Sequence, residues 1–136
     1  QGFNISPIIC FESIYGEYVT EYTRKGSNLF AIITNDGWWD VSEGHKQHLS
    51  YAKLRAIENR RNIVRSANTG ISAVINYKGE IIKSIGYGEE GFINTEVSLL
   101  NKTTFYVKYG DFIFRLSLFF LIIITLHFFA TTLRIK

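Results

Sequence analysis

A chain of 136 residues with 46% hydrophobic content is long enough to bury one modest core, and its formal charge of +3 raises the question of a nucleic-acid partner. The location of the charge excludes that partner: Gln1 to Asp111 holds 12 Lys and Arg against 12 Asp and Glu, and the whole excess is Arg115, Arg134 and Lys136. A lone cysteine, Cys10, excludes an intramolecular disulfide, and the lack of any Met with Gln1 in first place predicts that residues precede this segment in a parent chain.

Ile5 to Cys10 is a short apolar run that suits a strand buried on both faces. Ser13 is then a plausible N-cap for a helix in which Ile14, Tyr18 and Tyr22 recur at i, i+4 and i+8, with Arg24, Lys25 and Gly26 as its stop. Leu29 to Thr34 predicts a second strand, ended by the turn formers Asn35, Asp36 and Gly37. A second helix is expected from about Lys46 to Asn59, with Leu49, Ala52 and Ala56 on one face. Ile63 to Arg65 is a short strand candidate, and after Asn68, Thr69 and Gly70 the residues Ile71, Ala73 and Ile75 alternate with Ser72, Val74 and Asn76 at a period of two. Lys78 and Gly79 close a hairpin onto Ile81 to Ile85. Strands alternating with helices and ending in a hairpin indicate an α/β layered domain. It reaches to about residue 105, with the boundary between Thr103 and Asp111.

Residues 106–136 read as a membrane helix and a short cytoplasmic tail. Leu116 to Leu133 carries no Lys, Arg, Asp or Glu, and with Phe112 to Arg115 the segment reaches 22 residues, about 33 Å of helix. A surface-lying helix needs a polar face, which this stretch lacks. Tyr106 and Tyr109 fall where an interfacial aromatic belt belongs, and Arg134 and Lys136 place the carboxyl terminus in the cytoplasm by the positive-inside tendency.

Cys10 is expected at a strand end just before a helix, where backbone N–H groups favour a thiolate, although free cysteine is also a common inert core residue. Glu12 is two residues on; its carboxylate suits proton transfer or orientation, or merely complements a helix dipole, and it opposes thiolate formation unless a cation comes from elsewhere. His45 and His48 have an i, i+3 spacing but no third ligand at a matching distance, so they are expected to be surface or helix-start histidines and not metal ligands. Arg55, Glu58, Arg60, Arg61 and Arg65 read as a solvated, ion-paired face. Trp38 and Trp39 suit core or interface aromatics equally.

Three motifs in order, IICFESIYGE, TNDGWW and GHKQHLSYAKLRAIENRRNIVRSANTGISAVINYKGEI, resemble the carboxyl-terminal half of the nitrilase-like catalytic domain of the carbon-nitrogen hydrolase superfamily. Glu12 followed by SIYGE, with a terminal membrane helix, is similar to the apolipoprotein N-acyltransferase branch. The resemblance implies the carboxyl-terminal half of an αββα sandwich followed by one transmembrane helix, in the bacterial inner membrane with the catalytic domain on the periplasmic side. It implies transfer of an acyl chain from phospholipid to the amino-terminal cysteine of a diacylated lipoprotein, ping-pong through a thioester on Cys10, without cofactor or metal. Glu12 matches the second acidic residue of the family site, and Trp38 an aromatic residue at the pocket mouth that holds lipid. Phe11 stands beside the nucleophile where the family often has Tyr, and is assigned with Trp38 to substrate binding. The family's general-base Glu and oxyanion-stabilising Lys are expected before Gln1, so these 136 residues alone are expected to be inactive. The competing readings are a membrane-tethered amidase using the same thiol, and a non-catalytic membrane-anchored interaction module in which Cys10 only packs.

Overall fold

The structure is a computed structural model that describes residues 2–134. Lys136, half of the expected cytoplasmic tail's charge, lies outside the described residues, as does Gln1.

One mixed sheet carries the domain, in the order β1 (Ile5–Ile9), β2 (Leu29–Asn35), β3 (Asn62–Asn68), β4 (Ser72–Ile75), β5 (Ile81–Ile85). The first three strands are parallel and the last two antiparallel. Parallel neighbours need a crossover. Here helix α1 (Gly16–Arg24) links β1 to β2, and α2 (Gly44–Asn59) links β2 to β3. Both helices lie on one face, where Ile8, Phe30, Ile32, Ile63 and Ile75 of the sheet meet Val19, Leu49, Ala52 and Ala56. Small alanines let α2 approach closely. This is one sheet and one helix layer of the four-layer sandwich that the resemblance implies.

Two expectations for the start of the chain are corrected. β1 is the terminal strand of the sheet and is covered on one side only, so its burial alternates: Ser6 and Ile8 are buried, Ile5 and Ile9 exposed. Ser13 is not an N-cap. Cys10 opens a 3-10 helix (Cys10–Ile14), and α1 begins after Tyr15. The Ser13 hydroxyl is drawn inward instead, to the Cys10 carbonyl at 2.7 Å and to His48 at 3.0 Å.

The arginine-rich stretch is ion-paired, Arg55 with Glu58 at 2.8 Å, and Arg60 is exposed, but most of it is not solvated. Arg55, Arg61 and Arg65 are all at least 95% buried. Arg61 donates to the carbonyls of Ser27, Asn59, Arg60 and Lys102, tying the end of α2 to the loop before β2 and to the segment that returns across the sheet. Residues 86–104 have no regular secondary structure. They run over the sheet's other face, held by Asn62 Nδ2 on the Ser98 carbonyl and by the Leu100 N–H on the Asn28 carbonyl.

After a short helix α3 (Phe105–Tyr109), the chain turns at Gly110 into α4 (Phe112–Arg134). Gly110 has φ 68, and a Cβ there would lie 2.1 Å from Glu17 Oε1, so only glycine fits the corner. Glu17 accepts from the Asp111 N–H at 2.8 Å and pairs with Arg115 at 2.8 Å, while Arg24 reaches the Val107 carbonyl at 2.7 Å. Within α4, Phe112–Thr132 is long and apolar enough to cross a membrane, and none of it is buried against the domain.

Removing the Arg61 guanidinium strips four carbonyls of their donor. Arg61→Met is expected to destabilise the fold by about 2–4 kcal/mol, visible as a lower thermal midpoint in detergent.

Candidate active site around Cys10

Parallel β1 and β2 end side by side, so the residues that follow them converge. Cys10 follows β1 with φ 48, in the left-handed region that a residue with a Cβ enters only at a cost. The residue as a whole is half-buried, and its thiol is not in a disulfide. Glu12 braces the turn: its carboxylate accepts the Ile9 N–H at 2.7 Å and the Tyr18 hydroxyl at 2.9 Å. Hydrogen bonding with the Tyr22 hydroxyl at 3.0 Å, and then with Glu12, pushes the Tyr18 phenol well above its ordinary value, so it stays protonated.

Behind the turn lies a buried polar cluster. Asp36, just past β2, accepts from His48 Nδ1 at 2.9 Å, from Arg65 Nη2 at 2.5 Å and from the Thr34 hydroxyl at 2.9 Å. Asp36 and Arg65 side chains have 0% exposure and His48 has 1%, so the charges are fully withdrawn from water. Burial by itself raises the Asp36 carboxyl, but hydrogen bonds from His48, Arg65 and Thr34 outweigh it and bring the value down to about 2. His48 Nε2 faces the Ser13 hydroxyl at 3.0 Å and the Cys10 carbonyl at 3.2 Å. The cluster therefore grips the peptide group of Cys10 itself. Gly70 permits it, because a Cβ at that position would stand 2.5 Å from Asp36 Oδ2.

His45 and His48 do lie at the start of α2, but the expectation that they face the surface is corrected: both are buried, and both His48 nitrogens are engaged within the protein. The signal was present in the sequence. His45, His48, Leu49, Ala52, Arg55, Ala56 and Asn59 all share the buried face of α2, and His48 is one turn before Ala52. Arg65 likewise follows Ile63 by two residues, on the same face of β3. Among the described residues, no three His, Cys, Asp or Glu converge as metal ligands.

Of the four residues singled out from sequence, Cys10, Phe11 and Glu12 share the 3-10 turn. Trp38 sits on a second 3-10 turn (Gly37–Trp39) after β2. Its ring is 81% exposed, so it is no core aromatic, and the ring contacts belong to its neighbour: Trp39 meets Phe11 at 5.7 Å and His48 at 5.2 Å. Phe11 itself is half exposed and stacks on His48 at 5.8 Å. A groove of about 700 Å³ runs from Glu12 past Tyr15, Tyr18 and Tyr106 to Phe114 at the start of α4.

The carbon-nitrogen hydrolase family model matches residues 1–103. Over 107 residues the chain is 42% identical to the apolipoprotein N-acyltransferase of Geobacter metallireducens, covering 79% of this chain and 20% of that protein. It is 34% identical over 129 residues to the protein of the same name in Borreliella burgdorferi, covering 94% of this chain and 25% of that one. The chain spans about a fifth to a quarter of the length of these relatives. Among solved structures, the carbon-nitrogen hydrolase of Helicobacter pylori G27 superposes with a TM-score of 0.57 at 15% identity, over 63% of this chain and 37% of that one. An amidase of Nesterenkonia sp. AN1, with acrylamide added at its active-site cysteine, gives 0.55 at 18% identity, over 85% of this chain and 45% of that one. These two carry the fold alone.

Replacing Asp36 leaves Arg65 buried without a counter-charge, so Asp36→Asn is expected to destabilise by about 3–5 kcal/mol. Because the Asp36 carboxyl is depressed to about 2 in the folded state, its stabilisation is complete above the roughly 4 of an unfolded Asp and is lost as pH falls through about 2. Acid unfolding followed from pH 4 to 2 should show stability falling in the wild type and a flatter profile in the variant.

Proposed function

The chain belongs to the carbon-nitrogen hydrolase family, and we propose that it forms the nucleophile-bearing part of an apolipoprotein N-acyltransferase. The observation that carries this reading is Cys10, the one cysteine in the sequence, held left-handed just past the end of β1 as a half-buried free thiol. The identity of 42% to a protein of that name supports the branch over the soluble amidases, whose likeness is confined to the fold.

In the proposed reaction, Cys10 Sγ attacks the ester carbonyl carbon of a phospholipid. The C–O bond breaks, the lysophospholipid leaves as its alcohol, and the acyl group stays as a thioester. The amino-terminal amine of a diacylated lipoprotein then attacks the thioester carbonyl, forming an amide and returning the thiol. Glu12 braces the nucleophile's turn. Exposed Phe11 and Trp38 offer apolar surface for an acyl chain, and the groove from Phe114 runs from the start of α4 as far as Glu12, two residues from Cys10. A thiolate beside Glu12 needs a positive charge on its open side. The family's Lys, with its general-base Glu, is assigned to the parts of the relatives' length that this chain does not span.

α4 is proposed to cross the bacterial inner membrane, with residues 2–104 on the periplasmic side and the carboxyl terminus in the cytoplasm. Its length of 23 residues corresponds to about 35 Å, and beyond its first turn, where Phe112 meets Phe105, the apolar side chains from Leu116 to Phe129 are exposed.

Incubation of the intact protein with phospholipid is expected to add one acyl mass to Cys10 as a hydroxylamine-sensitive thioester, detected by mass spectrometry. Cys10→Ser should abolish lipoprotein acylation; full activity in that variant would refute the nucleophile. For topology, alkaline phosphatase fused after residue 136 is expected to be inactive, whereas a fluorescent protein fused there should glow.

A further inference from the structure

The groups that face Cys10 from behind come from three elements: Thr34 from β2 with Asp36 just beyond it, His48 from α2, and Arg65 from β3. Glu12, on its own turn, is engaged by the Ile9 N–H and the Tyr18 hydroxyl. Only one of these side chains touches the sulfur. The Thr34 hydroxyl lies 3.3 Å from Cys10 Sγ and 2.9 Å from Asp36 Oδ1, and the residue is 95% buried. A threonine hydroxyl has one hydrogen and two acceptors to give it to. If that hydrogen turns away, each Asp36 oxygen still has a donor, His48 on Oδ1 and Arg65 on Oδ2.

We propose that Thr34 is a catalytic hydrogen-bond donor to the nucleophile: its hydroxyl turns to Asp36 while Cys10 is a thiol, and to Sγ when Cys10 is a thiolate. In the thiol state the S–H is free to donate to Thr34 Oγ1. When that proton leaves to a base, Thr34 keeps its own hydrogen and swings it through a side-chain O–H rotation onto the sulfur. Asp36, held near 2, is too weak a base to take the proton and serves as the hydroxyl's resting acceptor. The cluster thus stabilises the anion from the buried side and leaves the accessible side for an ester carbonyl. A hydrogen bond to a charged acceptor is roughly twice as strong as a neutral one, so the gain falls on the thiolate. This inference rests on the reading of Cys10 as nucleophile, and its test is a thiol measurement that needs no acyl transfer.

The rate of Cys10 carbamidomethylation by iodoacetamide, followed by mass across pH in the intact protein, reports thiolate directly. The thiol proton goes to buffer base, the sulfur electron pair forms the S–C bond, and iodide leaves. Thr34→Val, nearly the same shape without the hydroxyl, is expected to shift the profile to higher pH and slow alkylation roughly tenfold at neutral pH. Thr34→Ser, which keeps the donor, should follow the wild type. A Val profile that superimposes on the wild type, or a Ser profile displaced as far as Val, overturns the role. Should Thr34→Val not fold, by loss of the cooperative thermal transition, Thr34→Ala against Thr34→Ser carries the same comparison. Failure here with an intact acyl thioester on Cys10 would remove Thr34 and leave the proposed transferase standing.

Discussion

A carboxylate with no exposed surface holds this site together. Asp36 is bonded at once to the strand that carries Arg65, the helix that carries His48 and the end of its own strand through Thr34. Burying one carboxylate in isolation would cost several kcal/mol, and the ion pair with Arg65 repays that only because the remaining lone pairs are also filled. The requirement runs both ways. β2, β3 and α2 must be in register for Asp36 to be satisfied, and once they are, His48 Nε2 is delivered to the Cys10 carbonyl. The strained turn at Cys10 is thereby backed by the best-connected part of the core.

Much of the layered fold was legible from period alone. β2, the hairpin of β4 and β5, and α2 form close to where apolar alternation and the Leu49, Ala52, Ala56 stripe put them. The start of the chain was less so, because Ser13 has the local chemistry of an N-cap and is instead captured by His48, 35 residues away. The buried cluster was missed for a related reason. Thr34, Asp36, His48 and Arg65 are polar residues whose types suggest solvent, and their meeting depends on the register that sets Ile32 beside Arg65 and Thr34 beside Ala67. The faces of α2 and β3 would have placed His48 and Arg65 inward had residue type been given less weight than position. Cys10 and Glu12 were recognisable from their motif, yet the brace that Glu12 gives the Ile9 N–H is a matter of geometry that no spacing reveals.

The apolar helix is joined to the domain by more than a peptide link. Glu17 fills the corner at Gly110 and binds both the Asp111 N–H and Arg115, while Arg24 holds the Val107 carbonyl. Surface ion pairs of this kind contribute little to stability singly. Their effect here is on direction: α1, which follows directly from the turn bearing Cys10, is the same helix that receives the start of α4. The groove between them consequently has walls from both.

The left-handed backbone at Cys10 also narrows what evolution could put there. A β-branched side chain crowds its own backbone near φ 48, so threonine in this turn would be strained, as Thr69 with φ 65 is elsewhere in the same chain. Glycine and asparagine fit the torsion but bring no attacking atom. The corner therefore favours small unbranched side chains, with cysteine and serine among those that also carry a reactive atom.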